Sequence, residues 1–415
     1  MADKLNRILK ERVAHDAATK DKLLGAAYVV INKDGLIYQG SAGRIRQPVE
    51  SPAFATDSVT WMASMTKLVT ATCVMQLVDR GLIKLDDDVR PLMPRLAKMQ
   101  ILEGFTSEGE DGKPILRDNP HPITLRHLLT HTTGLPYDII IPDIMRWSQH
   151  VGRTVNNLSW TLDGFDTPLL FPPGEGWCYG TSIDWAGQVL ESLTGLTLHE
   201  YARRNVLDPL GMARTGFLLD ELLQPNSTEK LEGYVPGSLR NPETGELADT
   251  NPPGPSPPPV ASGGAGLYGC AADYAKLLQA LLKILAGSSE EVEGGGLVSK
   301  AAMDEMVRPQ LKTDKQRADL KQSISMLLLT PELPADTPMD FGLIGAMNTQ
   351  DVPGQRRKGS LTWSGICNSR WWMDPQTGIA GAMFVNVSPF GDKAAYELFR
   401  ELEQAVYAEL VPRKE

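Results

Sequence analysis

Apolar and polar positions follow two different periods along this chain, helical at some stretches and alternating at others. Residues 5–18 carry apolar side chains at helical spacing and predict an amphipathic helix. Two β-rich runs follow, at 25–31 and 36–40, around Asn32-Lys33-Asp34-Gly35. Asp-Gly supplies the positive φ that a tight turn needs, so these runs predict a hairpin. A second hairpin is expected near the C-terminus, with strands at 369–373 and 379–387 about a turn at 374–378. A helix from about 393 to 410 closes the chain. Strands near both ends, each flanked by helix, predict one antiparallel sheet built from the two termini in an α+β sandwich.

The middle of the chain reads as mostly helical. Residues 67–80 form a helical run ended by Gly81, and 123–131 and 184–194 keep helical spacing, with Gly195 suited to a C-terminal cap. Residues 235–261 are rich in Pro and Gly, up to Asn251-Pro252-Pro253-Gly254-Pro255-Ser256-Pro257-Pro258-Pro259. This stretch predicts a long surface excursion with no regular helix or inner strand. Residues 287–296 predict another exposed loop, and no internal repeat is present. The expected division is a discontinuous α/β domain from 1–90 and 260–415, and a mostly helical domain over 91–259.

Composition narrows the function without naming it. The 415 residues, 42% hydrophobic and 22% charged, allow a substantial core. A net charge of −10 disfavours nucleic acid as partner, because phosphate contacts need a basic excess. No run approaches the roughly 18 apolar residues of a membrane span. Residues 1–7 lack the apolar core of a secretory signal. Cys73, Cys178, Cys270 and Cys367 are far apart and are expected to be reduced thiols, which together point to the cytoplasm.

The candidate chemistry begins at Ser64-Met65-Thr66-Lys67. A residue at i+3 returns to the same helix face, so Lys67 can reach the Ser64 hydroxyl. The hydroxyl becomes a useful nucleophile once a neighbouring base takes its proton. The same spacing recurs at Ser227-Thr228-Glu229-Lys230. That copy is wholly polar and borders the Pro/Gly-rich stretch, whereas Ser64 lies between Val59-Thr60-Trp61-Met62-Ala63 and Leu68-Val69-Thr70-Ala71, where burial can tune a lysine.

Further blocks carry a family resemblance. Trp61 to Lys67 resembles the nucleophile motif of the class C β-lactamase-like serine hydrolases and esterases. Leu125-Arg126-His127-Leu128-Leu129-Thr130-His131-Thr132-Thr133-Gly134-Leu135 is similar to that family's helix-to-loop block. Pro173-Gly174-Glu175-Gly176-Trp177-Cys178-Tyr179-Gly180 is similar to its tyrosine-bearing segment. Ser262-Gly263-Gly264-Ala265-Gly266-Leu267, and Lys358-Gly359-Ser360-Leu361-Thr362-Trp363-Ser364-Gly365, match two more blocks in family order. Pro209-Leu210-Gly211 and the run from Arg356 to Thr362 look like the fungal acyltransferase subgroup that esterifies lovastatin-type polyketides.

The resemblance implies a β-lactamase/transpeptidase-like fold and an acyl-Ser64 intermediate, with neither metal nor cofactor. It implies Tyr179 as proton relay with Lys67, the Ser64 and Ile366 amides as oxyanion hole, and Trp363, Ser364 and Gly365 as substrate-binding residues. Gly365 is expected to let the ester approach closely. Two departures turn the reading from lactams toward neutral esters and thioesters. Thr181 stands where lactamases have Asn, and Trp363 stands where a cation would bind a substrate carboxylate. Lys358-Gly359-Ser360 lies too early to replace the Lys-Thr-Gly strand.

The expected activity is transfer of a short acyl group from a thioester or ester to a hydroxyl of a polyketide-like small molecule. A small-ester carboxylesterase is the alternative; a β-lactamase and a non-catalytic binding protein are the weaker ones. An acyl carrier protein is a candidate donor, with Arg356, Arg357 and Lys358 as candidate docking charges or a solvated basic patch.

Other signals carry less. Gly264-Ala265-Gly266-Leu267-Tyr268-Gly269 fits G-x-G-x-x-G but lacks the preceding parallel strand and the acidic residue about 20 positions on. His127 and His131 sit at i, i+4 without a third ligand and read as structural. No G-x-S-x-G is present. Of Trp147, Trp160, Trp177, Trp363, Trp371 and Trp372, most are expected in the core, and Trp363 is expected to line the acyl or alcohol pocket.

Overall fold

The computed structural model describes residues 1–109, 112–223, 233–251, 254–287 and 296–410. Its centre is a seven-stranded antiparallel sheet. The strands are β1 (Gly25–Asn32), β2 (Gly35–Gly43), β3 (Met339–Phe341), β4 (Ala346–Asn348), β5 (Leu361–Ser364), β6 (Arg370–Asp374) and β7 (Ile379–Phe384), in the spatial order β3-β4-β5-β6-β7-β1-β2. β1 pairs with β2 on one side and β7 on the other, setting Tyr28 opposite Met383. The two chain ends thus meet in one sheet, as expected.

Alternation along β1 explains why both sheet faces are covered. Ala27, Val29 and Ile31 point into the larger apolar cluster, while Ala26, Tyr28 and Val30 point into a smaller one. The smaller cluster is closed by α1 (Ala2–Arg12) and by a long C-terminal helix, Lys393–Leu410. The first helix is shorter than expected. Val13 turns to extended backbone, and the Ala14 amide donates to the Leu23 carbonyl, so 13–14 edge toward the strand.

The larger cluster surrounds α2 (Thr66–Asp79), in which every residue from Thr66 to Leu77 is buried. A helix apolar on all sides belongs inside a core. It ends where Gly81, at φ +72°, lets its own amide and that of Leu82 donate to the Val78 and Leu77 carbonyls, a Schellman closure. α3 (Ser182–Thr194) packs on α2 and stops at Gly195, φ +70°, and α4 (Ala271–Leu285) lies against β1 and β7. The C-terminal helix Lys393–Leu410 is α5.

Two expectations change. The stretch 235–261 holds short strands: Ser238–Arg240 lies between Leu247–Asp249 and Val387–Ser388, an inner strand of a small sheet. The prolines cluster after it, so backbone donors remain where pairing occurs. The helical middle also contains a hairpin, Gln100–Phe105 with Pro114–Asp118. The division at 91 and 259 stays a proposal: the strands of the seven-stranded sheet all lie outside 91–259, while one apolar cluster runs through both parts, from Val29 to Leu190. Residues 227–230 lie outside the described residues, as does most of the loop at 287–296.

Among the described residues, no helix is long and apolar enough to cross a membrane. The four cysteines are buried, unpaired thiols.

Arg356 corrects the docking expectation. Its guanidinium is fully buried and donates to both Glu403 carboxylate oxygens, at 2.8 and 2.6 Å, and to Glu332 at 3.3 Å. Arg370, equally buried, reaches Glu332 at 3.1 Å and the Leu329 carbonyl at 3.1 Å. Arg356 is thus part of an internal ion cluster that ties α5 to the sheet, not a surface charge. Arg357 pairs with Asp351 at 3.1 Å, and Lys358 is exposed. Glu403→Ala is expected to cost about 3–5 kcal/mol in a urea unfolding measurement, because it leaves the Arg356 charge buried beside a single shared carboxylate. A loss below about 1 kcal/mol would contradict this account.

Candidate active site

The nucleophile loop is held from three directions. The short strand Val59–Trp61 pairs parallel with Tyr234–Val235 and antiparallel with Tyr268–Gly269, and leads into a single tight turn, Ala63–Met65, ahead of α2. Ala63 takes φ +46°, a left-handed conformation that costs a non-glycine residue about 1–2 kcal/mol. The surroundings hold it there: the Met62 amide donates to the Leu267 carbonyl at 2.9 Å. A Cβ on Gly365 would lie 2.5 Å from the Met62 carbonyl oxygen. Gly365 therefore lets the end of β5 close on the nucleophile loop.

Lys67 is buried one turn beyond Ser64. Its three N–H groups meet three acceptors: Ser64 Oγ at 3.1 Å, Tyr137 Oη at 3.1 Å and the Gly264 carbonyl at 2.8 Å. Tyr179 Oη lies 2.7 Å from Ser64 Oγ, and the Tyr179 ring faces Lys67 Nζ at 4.8 Å from its centroid. Ser64, Lys67 and Tyr179, expected from sequence, thus converge.

Two of the sequence blocks interlock to place Tyr179. The Cys178 amide donates to the His131 carbonyl at 2.9 Å and the Gly174 amide to the Thr132 carbonyl at 2.8 Å. A Cβ on Gly180 would sit 2.0 Å from the Leu135 carbonyl oxygen, so only glycine permits this approach. His131 and Trp363 pack edge-on against the Tyr179 ring, each at 5.1 Å. Burial first, and Lys67 second, hold His131 well below its usual range and so neutral. His127 closes the cap of its own helix: it accepts from the Thr124 amide at 3.3 Å, and burial lowers it to about 4. Both histidines thus have structural work at this helix, with no third ligand gathered beside them among the described residues.

Trp363 is not where it was expected. It is 1% exposed and donates its indole N–H to Tyr179 Oη at 3.2 Å, behind the phenol. Side chains alternate along β5, so when Trp363 faces inward Ser364 turns to the cavity. The cavity beside Ser64 measures about 310 Å³. Its apolar walls include Leu158, Trp160, Leu327, Leu329, Ile366 and Phe390. Ser64 and Ile366, the two expected oxyanion-hole residues, both line it. Thr181 is buried away from it, its hydroxyl 3.5 Å from the Phe165 carbonyl.

Sequence reasoning missed Tyr137, two residues beyond the Leu125–Leu135 block. Burial first, then the neighbouring Tyr179 and Asp184, pushes its phenol well above the usual tyrosine range, so it meets Lys67 as a neutral hydroxyl. Asp184 was also missed. It is 3% exposed, on the first turn of α3, and burial raises its carboxyl while Lys67 draws it back down. An acid between Ile183 and Trp185 in an otherwise apolar turn was the available signal. Tyr137→Phe removes one acceptor from Lys67 and is expected to lower kcat/KM about tenfold to a hundredfold with the melting temperature nearly unchanged. Steady-state kinetics with a chromogenic ester checks it, and wild-type kinetics would remove Tyr137 from the site.

Known proteins resemble this chain over most of its length. The chain is 32% identical over 367 residues, 86% of its length and 84% of the relative's, to a monacolin J acid methylbutanoyltransferase of Aspergillus terreus. It is 31% identical over 373 residues, 87% and 88% of the two chains, to a lovastatin esterase of Penicillium rubens. A mutant simvastatin synthase from Aspergillus terreus superposes with a TM-score of 0.84 at 29% identity, covering 98% of this chain and 94% of that one. The fold is the β-lactamase/transpeptidase-like arrangement of antiparallel sheet and helices. With the β-lactamase family model matched over residues 5–405, the chain belongs to the β-lactamase family and is an enzyme of its serine hydrolase and acyltransferase group.

Proposed function

We propose that the protein transfers a short acyl group from a thioester or ester to a hydroxyl of a polyketide-like small molecule through an acyl-Ser64 intermediate. The observation that carries this reading is the position of Ser64 Oγ between Lys67 Nζ at 3.1 Å and Tyr179 Oη at 2.7 Å, on the wall of an apolar cavity. The named activities of the Aspergillus terreus and Penicillium rubens relatives support the substrate class.

The steps follow from the contacts. Lys67 already spends its three N–H groups, so the phenolate form of Tyr179, held by the Trp363 N–H and faced by the Lys67 charge, accepts the Ser64 proton as Oγ attacks the acyl carbonyl. The Ser64 and Ile366 amides receive the developing oxyanion. Collapse expels the thiolate or alkoxide, which takes the proton back from Tyr179. The acceptor hydroxyl then gives its proton to Tyr179 and attacks the acyl-Ser64 carbonyl, and collapse breaks the bond to Ser64 Oγ, which takes that proton back from Tyr179. Water in place of the acceptor would make the same site an esterase, the second reading, which the lovastatin esterase relative favours. Apolar walls that exclude water favour transfer. An acyl carrier protein remains a candidate donor, with the docking charges reduced to Arg357 and Lys358. The buried thiols accord with the cytoplasmic location proposed for the chain.

Exposure to a fluorophosphonate or activated ester is expected to add one acyl or phosphonyl mass to the wild type and none to Ser64→Ala. An equal adduct on Ser64→Ala would sink the reading. Incubation with a butyryl thioester and a polyketide-derived alcohol is expected to yield the ester in excess of free acid. The reverse ratio would select the esterase.

A further inference from the structure

The glycine-rich turn Ser262–Leu267 has no part in the acyl-transfer steps, yet it is fastened to α2 on the face that carries Lys67. The Leu267 amide donates to Thr66 Oγ1 at 3.0 Å, Lys67 Nζ to the Gly264 carbonyl at 2.8 Å, and Thr70 Oγ1 to the Gly263 carbonyl at 2.8 Å. Three successive contacts along one helix face leave the turn little freedom to slide.

What stands behind the turn is Asp184 of α3. Its Oδ1 accepts from Ser262 Oγ at 2.5 Å and from the Gly264 amide at 3.0 Å. The same peptide that receives Lys67 at its carbonyl is therefore held at its amide by a carboxyl group. The glycines follow from this packing. A Cβ on Gly264 would lie 2.5 Å from Asp184 Oδ2, and one on Gly263 would lie 2.8 Å from the Ile183 carbonyl oxygen. Gly263 and Gly264 are thus explained by close approach to α3, and Gly266 by the turn itself, where a Cβ would lie 2.8 Å from the Ser262 carbonyl oxygen.

We propose that Asp184 is a positioning residue for Lys67: its carboxylate fixes the Ser262–Gly264 peptides so that the Gly264 carbonyl accepts from the ammonium, and it supplies the countercharge behind that ammonium. A buried cation needs such a partner, because the low-dielectric surroundings penalise an isolated charge. The groups facing Lys67 from the packed elements are Ser64 and Tyr179, the neutral phenol of Tyr137, the neutral imidazole of His131, and the Gly264 carbonyl backed by Asp184. Asp184 is the one carboxylate among them. The proposal rests on the acyl-Ser64 reading above.

The experiment is the pH dependence of kcat/KM for 4-nitrophenyl butyrate, with fluorophosphonate labelling of Ser64 followed by intact mass. Asp184→Asn keeps the acceptor oxygen and removes the charge. A site that has lost this countercharge holds positive charge less well, so the alkaline limb of the profile is expected to move down by about one unit or more. At neutral pH kcat/KM is expected to fall about tenfold to a hundredfold. Ser262→Ala keeps the carboxylate and loses one hydrogen bond, so it is expected to lower kcat/KM with the alkaline limb unmoved.

If Asp184→Asn fails to fold, Gly264→Ala gives the second reading, since its Cβ forces the turn away from Asp184 and should move the same limb. An unmoved limb in whichever of Asp184→Asn and Gly264→Ala folds overturns the proposal, even where activity falls, because a purely structural role lowers activity without changing the limb. A wild type that neither labels at Ser64 nor turns over the ester overturns the proposal together with the acyl-transfer reading. Labelling and turnover with an unmoved limb overturns the positioning role alone.

Discussion

Lys67 is a cation inside a helix whose surroundings are otherwise core. Moving a charge out of water is expensive unless every N–H group finds an acceptor, and here the three acceptors come from three separate parts of the chain. Ser64 comes from the turn before the helix, Tyr137 from the loop after the 125–135 block, and Gly264 from a glycine turn nearly 200 residues away. The fold is arranged so that these segments meet on one face of α2. The left-handed Ala63, and the glycines at 180, 264 and 365 where other segments come too close for a side chain, lie around those meeting points.

The same constraint separates the site into a polar side and an apolar side. Around Lys67 the groups are matched donors and acceptors, with Tyr179 between Trp363 and Ser64. On the far side of Ser64 the cavity is walled by Leu158, Trp160, Leu327, Leu329, Ile366 and Phe390. A substrate carbonyl placed at Ser64 would meet the proton-handling groups on one side, while its acyl and alcohol parts would rest against hydrocarbon. Leu329 links this wall to the buried ions, since its carbonyl accepts from both Ser364 and Arg370. The cluster of Arg356, Arg370, Glu332 and Glu403 thus holds one wall of the cavity as well as the helix α5.

Much of this was legible in the linear chain because it depends on local chemistry. The hairpin at 32–35 needs Asp-Gly, the closing of α2 needs Gly81, and Ser64 with Lys67 needs only one helical turn. The terminal sheet followed from strands and helices whose periods are local. Tyr179 and the glycine blocks were legible as motifs, although their interlocking was not.

What only the tertiary structure decided were the partners that come from distant segments. Arg356 reads as part of a basic surface run with Arg357 and Lys358, and it is buried because Glu332 and Glu403 arrive to meet it. Trp363 reads as a pocket wall, and the strand's alternation turns it behind Tyr179 instead. Tyr137 and Asp184 carry no motif, because a residue acquires the role of acceptor or countercharge only when a lysine from another helix is brought against it. Sequence determined the local geometry, in which neighbours along the chain set the conformation. The fold alone decided which charges were desolvated together, because that depends on distances between segments that no spacing encodes.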